Sequence, residues 1–246
     1  TVGVESKTTG EHESSLIDSY SIDATASLVI IYGDDAPGYL VLWTKNKASD
    51  SRTISGAAKN TVGAGKMAME LAGDNQVYFG IGLQKHKPMG NERGKADTVI
   101  AIPGLWLDID IAGPAHKATD LPPSMEAVKE LLAKLPLQPT MIVHSGNGVH
   151  VWWLFRELWT FDSAVERVQA MDLVRRFQSK FINWAAEREW KIDNTSDLAR
   201  VLRPPGTYNH KTDPAKPVTV LEYNEQSRYN PSDFEEYLLD AIPAPK

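Results

Sequence analysis

Cysteine is absent from this chain of 246 residues, which excludes disulfide bonds and zinc sites with cysteine ligands. The chain also lacks any apolar run close to the roughly 20 residues that a membrane-spanning helix needs. Its polar beginning, "TVGVESKTTGEHESS", does not have the pattern of a signal peptide. We therefore expect a cytoplasmic protein with no membrane partner. Because the chain does not begin with methionine, we also expect it to be a piece of a longer protein.

An excess of positive charge is also missing, since the formal net charge is −6. Nucleic-acid-binding proteins normally have a basic surface, so this value argues mildly against that class. The charge is uneven, however, because residues 221–240 contain six acidic residues and one arginine and so contribute −5. One loop is basic, "QKHKPMGNERGK". It is either a solvated surface loop or a contact for a nucleic-acid backbone through Lys85, Lys87, Arg93 and Lys95.

Strand and helix patterns interleave along the chain, which predicts a mixed α/β or α+β fold. Residues 27–44 read as two strands around a turn, and residues 55–71 as an alanine-rich helix. Ser124 is a candidate N-cap for a helix that runs to Leu135. Residues 140–155 contain a Gly-Asn-Gly turn, which predicts a hairpin. A long helix over 162–189 and a last strand over 217–223 follow, with Val165, Val168, Phe177, Phe181 and Trp184 expected in the core.

The segment "LWLDIDI" combines a buried strand with two carboxylates, Asp108 and Asp110. Residues two apart in a strand point to the same face, so these aspartates lie side by side. Two adjacent carboxylates repel each other unless a cation lies between them, and a divalent metal ion is the usual solution. Polymerases hold two metal ions about 4 Å apart in this way. The pattern also occurs by chance, in calcium loops and in glycosyltransferases.

The segment "HSGNGVHVWW" follows, in which Gly146 and Gly148 allow a tight turn whose amides can bind phosphate oxygens. His150 would leave the turn on the second strand and reach a phosphate, with Trp152 on the same face. The simpler interpretation is an ordinary hairpin with a half-buried histidine. His144 is expected to be structural.

The third segment is "KIDNTSDLARVLRPPGTYNHK". Two acids precede a group of cations around a Pro-Pro-Gly turn, which indicates a site for both metal and anion. Surface salt bridges are the other interpretation. The residues concerned are Asp193, Asp197, Arg200, Arg203 and Lys211.

In this order the three segments resemble the archaeo-eukaryotic primase superfamily, and above all the primase-polymerases of plasmids, phages and other mobile elements. Their typical blocks "glwlDiD", "SGnGvHvyW" and "DlaRvLRpPGTyNhK" are nearly written out here. The resemblance covers Val77 to Tyr223, and residues 1–50 give no family signal. It implies an α+β fold, a two-module catalytic core in which an N-terminal α/β part packs on a sheet like that of RNA-recognition motifs. The active site would lie between the two parts.

The resemblance also implies roles for single residues. Asp108, Asp110 and Asp193 would be the catalytic carboxylates that hold two Mg²⁺ or Mn²⁺ ions, with Asp197 as the alternative third ligand. No zinc is expected, because the zinc-binding element of many relatives uses cysteines. The nucleotide would be bound by Ser145, Gly146, Asn147, Gly148, His150, Arg200, Arg203 and Lys211.

The function implied is a template-dependent nucleotidyltransferase, a DNA primase or polymerase that makes or extends primers on single-stranded DNA during replication of a mobile element or phage. Its partners would be the template, nucleoside triphosphates and a helicase domain or helicase protein, and Trp152 could stack on bases. We expect residues 1–246 to form a single catalytic domain. Residues 1–25 would be a flexible start, and residues 241–246 would begin a linker to further domains.

Three alternatives stay open. A non-catalytic replication initiator would bind DNA and recruit a helicase. A metal-dependent nuclease would use the same acids, and a metal-binding hydrolase would have a different fold.

Overall fold

A computed structural model describes residues 22–46 and 52–239 of the chain. The expected linker over 241–246 and all but the last four residues of the expected flexible start lie outside the described residues. Within that start, Ile22 is 4% exposed and Ala24 is fully buried. The folded core therefore includes residues from position 22 onwards.

The described residues form four α-helices, eleven strands and two 3-10 helices. The α-helices are α1 (Ala24–Tyr32), α2 (Thr61–Leu71), α3 (Met125–Leu132) and α4 (Ala164–Ala186). The 3-10 helices cover Ala96–Thr98 and Pro231–Tyr237. The strands are β1 (Asp35–Asn46), β2 (Arg52–Asn60), β3 (Asn75–Gly80), β4 (Leu83–Gln84), β5 (Val99–Asp110), β6 (Met141–His144), β7 (Gly148–Thr160), β8 (Val201–Leu202), β9 (Tyr208–Asn209), β10 (Lys216–Pro217) and β11 (Thr219–Tyr223).

Nine of the strands form one sheet in the order β11-β6-β7-β5-β4-β1-β3-β8, with β2 paired to the other edge of β1. All of these pairings are antiparallel. The two-residue strand β4 links a half built on β5 and β7 to a half built on β1 and β3. The two halves meet in the core, where Phe79 of β3 stacks on Trp152 of β7 with ring centroids 6.1 Å apart. The sheet therefore curves strongly, and the α+β class is confirmed.

Helix α4 covers the half of the sheet that is built on β5 and β7. Trp153 of β7 packs against Phe177 and Phe181 at centroid distances of 5.0 and 5.5 Å, as expected for core residues of this helix. The expectation for Val165 and Val168 was wrong, since 66% and 61% of these side chains are exposed at the start of the helix.

Two predicted elements at residues 124–155 are confirmed. The hydroxyl of Ser124 accepts a hydrogen bond from the amide of Ala127 and caps α3. Strands β6 and β7 form the hairpin on either side of the Gly-Asn-Gly turn.

Two other predictions were wrong in part, since the second strand of the predicted pair (β1) and the second part of the predicted helix (α2) are present. Residues 24–32 form helix α1, not a strand: the carboxylate of Asp23 caps the first turn, and Gly33 ends the helix with φ of 78°. The alanine-rich stretch is a strand up to Asn60, whose side chain then caps α2. Among the described residues, no helix is both long and apolar enough to span a membrane.

Candidate active site

Strands β5 and β7 place the acidic pair beside the predicted histidine. Asp108 lies directly opposite His150, and Asp110 lies opposite Gly148. The intervening Ile109 is fully buried, whereas 22% of the Asp108 side chain and 39% of the Asp110 side chain are exposed. The alternation predicted from the sequence is therefore present, with one face of the strand in the core and the other carrying two carboxylates.

Asp108 is bound by a cation from the other half of the sheet. One oxygen, Oδ2, accepts a hydrogen bond from Arg200 Nη2 at 2.9 Å, and the other lies 3.7 Å from His150 Nε2. Arg200 immediately precedes β8, which pairs with β3. The site is thus assembled between the two halves of the sheet.

Asp110 has a histidine partner that the sequence did not indicate. Its Oδ2 lies 3.5 Å from His116 Nδ1, and the other ring nitrogen of His116 lies 3.1 Å from the carbonyl oxygen of Asn147. Burial and the negative charge of Asp108 raise the pKa of Asp110 above its ordinary value. The two aspartates therefore repel each other, as expected from their spacing.

Further charges act on the same carboxylate. Electrostatic interactions with His116 and Lys211 lower the pKa of Asp110, and the negative charge of Asp193 raises it. Asp193 and Lys211 come from a different part of the sequence, so the fold brings the first and third predicted segments together.

A cavity of about 410 Å³ collects most of the predicted residues. Its lining includes ten of them: Arg93, Asp108, Asp110, Ser145, Asn147, His150, Asp193, Arg200, Arg203 and Lys211. Six predicted residues do not line it: Lys85, Lys87, Lys95, Gly146, Gly148 and Asp197.

The two candidates for the third carboxylate have different surroundings. Asp193 lines the cavity, with Oδ1 3.2 Å from Lys191 Nζ. Asp197 is exposed, and its Oδ1 accepts a hydrogen bond from the amide of Ala199 at 3.0 Å, which stabilises a local turn. The structure therefore groups Asp193, and not Asp197, with Asp108 and Asp110.

The segment that carries Asp193 is fixed to the core two residues later. The amide of Thr195 donates a hydrogen bond to Gln178 Oε1 at 2.8 Å, and its carbonyl oxygen accepts one from Trp106 Nε1 at 3.1 Å. Gln178 belongs to α4 and also donates to the carbonyl oxygen of Trp106 at 3.0 Å. Strand β5 and helix α4 thus hold Asp193 near the acidic pair.

The two glycines of the hairpin have structural reasons to be glycine. Gly146 has φ of 95°, and a Cβ there would lie 2.6 Å from the Cβ of Asn209. A Cβ on Gly148 would lie 2.3 Å from the carbonyl oxygen of Ile109. Both positions therefore need glycine for chain geometry, and neither requirement depends on a bound phosphate.

His150 is 3% exposed, and its burial lowers its pKa to about 4. The imidazole is therefore neutral at pH 7, and it can reach a phosphate only as a hydrogen-bonding group and not as a cation. Beside it, Ser145 is held by a hydrogen bond of 2.7 Å from Asn209 Nδ2 to its carbonyl oxygen. Asn147 Oδ1 accepts a hydrogen bond from Lys216 Nζ at 2.8 Å.

Arg203 is held in the cavity wall with 8% of its surface exposed. Its Nη2 donates to the hydroxyl of Tyr78 at 2.7 Å and to Gln76 Oε1, and its guanidinium carbon lies 4.6 Å from the centre of the Tyr78 ring. The Nε atoms of Arg203 and Arg200 are buried and have no hydrogen-bond partner within residues 22–46 and 52–239.

Of the residues expected to contact the template or its bases, only Arg93 is among the described residues that line the cavity. Trp152 is 1% exposed and packs on Phe79, so the expectation that it stacks on a base was wrong. Lys85, Lys87 and Lys95 are exposed in the loop, as a backbone-binding loop would require.

The carboxylates are of the right kind for Mg²⁺ or Mn²⁺, which prefer oxygen ligands. Asp108 and Asp110 are adjacent and mutually repulsive, and a divalent cation would relieve that repulsion. In the described parts of the chain, however, no three acidic or histidine side chains converge as a metal-binding group. Asp193 would have to exchange Lys191 for the metal ion, which is feasible because both side chains are more than half exposed.

Several cavity residues were missed by the sequence analysis. They are Trp43, Tyr78, His116, Lys117, Lys191 and Asn209. Asn209 had a signal, because it is the asparagine of the "PGTYNHK" block. His116 lies in a loop without a recognisable pattern, and Trp43 and Tyr78 reach the cavity only because the sheet curves.

No protein-family model matches the chain, and no curated protein matches its sequence. Its fold, however, is similar to solved structures. The primase-polymerase domain of cyanophage S-2L has a TM-score of 0.56 and 13% identity, with 88% of this chain and 96% of that chain covered.

Two structures of the primase RepB′ are similar as well. One shows its catalytic domain in complex with initiator DNA, with a TM-score of 0.50, 10% identity, and 89% of this chain and 91% of that chain covered. The other has a TM-score of 0.52 and 11% identity, and covers 89% of this chain and 60% of that chain. At these identities the likeness shows the fold alone, and it confirms the fold expected from the three sequence blocks.

Proposed function

We propose that this chain is a template-dependent nucleotidyltransferase, a DNA primase or polymerase that makes or extends primers on single-stranded DNA. One observation carries the proposal: three carboxylates and three cations from distant segments line a single cavity, Asp108, Asp110, Asp193, Arg200, Arg203 and Lys211. The fold shared with primase and primase-polymerase domains supports it. Replication of a mobile element or phage, with a helicase as partner, is the context we propose.

The acids would hold the metal ions, and the cations would bind the nucleotide. Asp108, Asp110 and Asp193 would coordinate Mg²⁺ or Mn²⁺, which supplies charge neutralisation at the phosphates and activation of the attacking hydroxyl. Arg203 and Lys211 would bind phosphate oxygens of the triphosphate, the first as a planar fork and the second as a point charge.

The neutral residues of the cavity would orient the same triphosphate. His150 is neutral at pH 7 and can donate one hydrogen bond without adding charge. Asn147 keeps a buried amide nitrogen, Nδ2, without a partner among the described residues. An unpaired buried donor is costly, so a phosphate oxygen beside it would lower the free energy of the site.

The proposed reaction needs no side-chain nucleophile. The 3′-hydroxyl oxygen of the growing strand forms a bond to the α-phosphorus, the bond from that phosphorus to the bridging oxygen breaks, and pyrophosphate leaves. The hydroxyl proton passes to solvent. The chain's contribution is positioning and charge stabilisation.

A second function is favoured by one specific observation. Arg200 binds Asp108 at 2.9 Å, so the position of a metal ion is partly taken by a guanidinium group. A replication initiator that binds DNA and recruits a helicase without catalysis would need no metal there. In the enzyme we propose, Arg200 turns from Asp108 towards a phosphate when the metal and nucleotide bind.

Incubation with single-stranded DNA, with and without a primer, tests the proposal. Each reaction contains ribonucleotides or deoxyribonucleotides with Mg²⁺ or Mn²⁺, and products are resolved by length. We expect extended products from the native chain and none from Asp108→Asn. The matched control is Asp162→Asn, an exposed aspartate before α4 that does not line the cavity.

The other outcomes select the alternatives. Shortened DNA without nucleotide incorporation would indicate a nuclease. DNA binding with neither incorporation nor cleavage would indicate the non-catalytic initiator, and either result would overturn the proposal.

A further inference from the structure

A second cavity of about 390 Å³, which we call the outer groove, adjoins the candidate active site. Two of its residues, Trp43 and Arg93, line both cavities. The others are Asn91, Glu92, Gly94 and Lys95 of the basic loop. The outer groove therefore runs from the carboxylate-lined cavity to the surface between β1 and this loop.

An aromatic surface continues from the outer groove into the active-site cavity. Trp43 of β1 lies directly opposite Tyr78 of β3, and their ring centroids are 5.4 Å apart. On the active-site side of this aromatic pair, the guanidinium group of Arg203 lies over Tyr78, 4.6 Å from the centre of its ring. Three flat groups thus line a path that begins at the groove and ends beside the predicted nucleotide-binding cations.

The loop wall of the groove is fixed in position. Gly94 has φ of 90°, and a Cβ there would lie 2.4 Å from the side chain of Gln84. Gln84 is 2% exposed, donates to the carbonyl oxygen of Lys95 at 3.3 Å and accepts from the hydroxyl of Thr98 at 2.6 Å. The loop therefore packs on a buried side chain, so the outer groove is built before any ligand arrives.

We propose that the outer groove binds one strand of single-stranded DNA, with a base stacked on Trp43 and the flanking phosphates beside Arg93 and Lys95. The choice of DNA rests on the proposed function of the adjoining site. Aromatic faces interleaved with cations are the features that bind single strands without reading their sequence. This assigns the base-stacking role to Trp43, since Trp152 is buried.

The position of the cations favours a strand over the base of the incoming nucleotide. Arg93 lines both cavities, and Lys95 lines the outer groove alone. The cations therefore continue from the active-site cavity along the groove, as the successive phosphates of a strand require. Lys85 and Lys87 precede them in the same exposed loop segment. Among the described residues that line the groove, Glu92 is the one acidic residue, and it would repel the phosphates.

Binding without catalysis tests this inference. The anisotropy of a labelled oligonucleotide is measured with excess EDTA and no nucleotide. Trp43→Ala should weaken binding by about 10-fold or more, and Trp43→Phe should retain most of it, because stacking needs an aromatic face. Tyr208→Ala removes an exposed aromatic side chain elsewhere and should leave the affinity unchanged.

The charges provide a second, independent readout. Arg93→Gln should weaken binding, and Glu92→Gln should strengthen it, because the first removes an attraction for phosphate and the second a repulsion. Thermal unfolding of each variant checks whether it is folded. If Trp43→Ala does not fold, the two charge variants decide the outcome. An unchanged affinity in Arg93→Gln together with a loss of affinity in Glu92→Gln would then overturn the inference.

The outcomes separate the groove from the catalytic proposal. If the native chain extends primers but Trp43→Ala binds the oligonucleotide with native affinity, the groove proposal is wrong and the proposed enzyme activity is unaffected. If Trp43→Ala binds weakly but the native chain incorporates no nucleotide, only the proposed enzyme activity is wrong. A higher KM for nucleotide in Trp43→Ala with unchanged oligonucleotide affinity would mean that the groove holds the incoming nucleotide, and the inference would be wrong.

Discussion

Asp193 and Asp197 are four residues apart and chemically identical, yet their surroundings in the structure differ. Asp193 lines the carboxylate cavity, and its charge acts on Asp110. Asp197 holds a turn through the amide of Ala199. Substitution by asparagine tests this difference. At position 197 the amide oxygen can still accept the hydrogen bond from Ala199, whereas at position 193 it would be a poor ligand for a metal ion.

We expect Asp193→Asn to lower the rate of nucleotide incorporation by about 100-fold or more, as the loss of a charge-stabilising group typically does. Asp197→Asn should stay within about twofold of the native rate, because exposed substitutions usually change free energies little. Single-turnover incorporation at saturating metal measures both. A dead Asp197→Asn beside an active Asp193→Asn would reverse the assignment.

His150 should make the stability of the metal-free protein depend on pH. Its pKa is about 4 in the folded state because of burial, against an ordinary histidine pKa of 6.5 in the unfolded chain. Between these values the unfolded chain binds the proton and the folded chain does not, so stability is fully present above pH 6.5 and is lost as the pH falls towards 4.

The free energy of unfolding in urea, measured from pH 7 to pH 4 with EDTA, checks this. His150 alone can contribute a slope of up to about 1.4 kcal/mol per pH unit. His144 also has a lowered pKa and adds a slope of the same sign, so the native chain is compared with His150→Gln. Equal slopes in the two proteins would show that His150 titrates normally.

The sequence was a good guide to single residues where the signal was local, and a poor one elsewhere. The alternation of Asp108 and Asp110 follows from strand geometry and needs no knowledge of the fold. His116 could not be found in this way, because its contacts with Asp110 and with the carbonyl oxygen of Asn147 depend on how two loops meet. The burial of Trp152 likewise depends on Phe79, which belongs to a strand of the other half of the sheet.

Among the elements, the β6–β7 hairpin has the tightest geometric requirement. Gly148 faces the backbone of β5, and a Cβ there would lie 2.3 Å from the carbonyl oxygen of Ile109 and 2.9 Å from the Cα of Asp110. Neither backbone atom can move aside without disturbing the pairing of β5 and β7. Gly148→Ala should therefore both strain the hairpin and displace Asp110.

We expect Gly148→Ala to lower the free energy of unfolding by about 1–3 kcal/mol, the usual cost of overpacking a tight site, and to reduce incorporation. Gly113→Ala is the matched control, since the nearest atom to its Cβ is 3.9 Å away. Urea unfolding measures the difference. If Gly148→Ala is as stable as Gly113→Ala, the strands are not as close as the structure has them.

The elements also show where pattern reading fails. The run "SLVIIY" is short and wholly apolar after its first residue, so its periodicity fits a buried strand or a buried helix equally well. The deciding features lie at its ends, with Asp23 as N-cap and Gly33 beyond the last turn. The alanine-rich residues before Asn60 have helix-forming character, but pairing with β1 makes them a strand, and tertiary contacts override such weak preferences.

In the whole molecule, the site depends on contacts between residues far apart in sequence. Arg200 and Asp108 are separated by 92 positions, and they meet because β8 is added to the edge of β3 while β5 lies in the other half of the same curved sheet. No spacing rule applied to one segment predicts such a contact. The order of three sequence blocks predicted only that the three segments lie near one another, through their resemblance to a family whose fold unites them.

The distribution of charge over the whole molecule leads to the last prediction. Because the net charge is −6, we expect a DNA strand to be attracted by the basic loop and not by a broad basic surface. Four exposed cations lie along that loop, Lys85, Lys87, Arg93 and Lys95. For a single strand, the slope of log K against log salt concentration is about −0.7 for each phosphate neutralised, so the slope should be about −3.

Oligonucleotide affinity at salt concentrations of about 50 to 200 mM measures this slope. The double variant Arg93→Gln/Lys95→Gln should make it less steep by about 1.4, because two phosphate contacts are lost. The control Lys66→Gln/Lys129→Gln changes the net charge by the same amount on exposed lysines outside the loop, and its slope should equal that of the native chain. If both double variants change the slope equally, the strand responds to the total charge of the protein, and the basic loop is not its binding site.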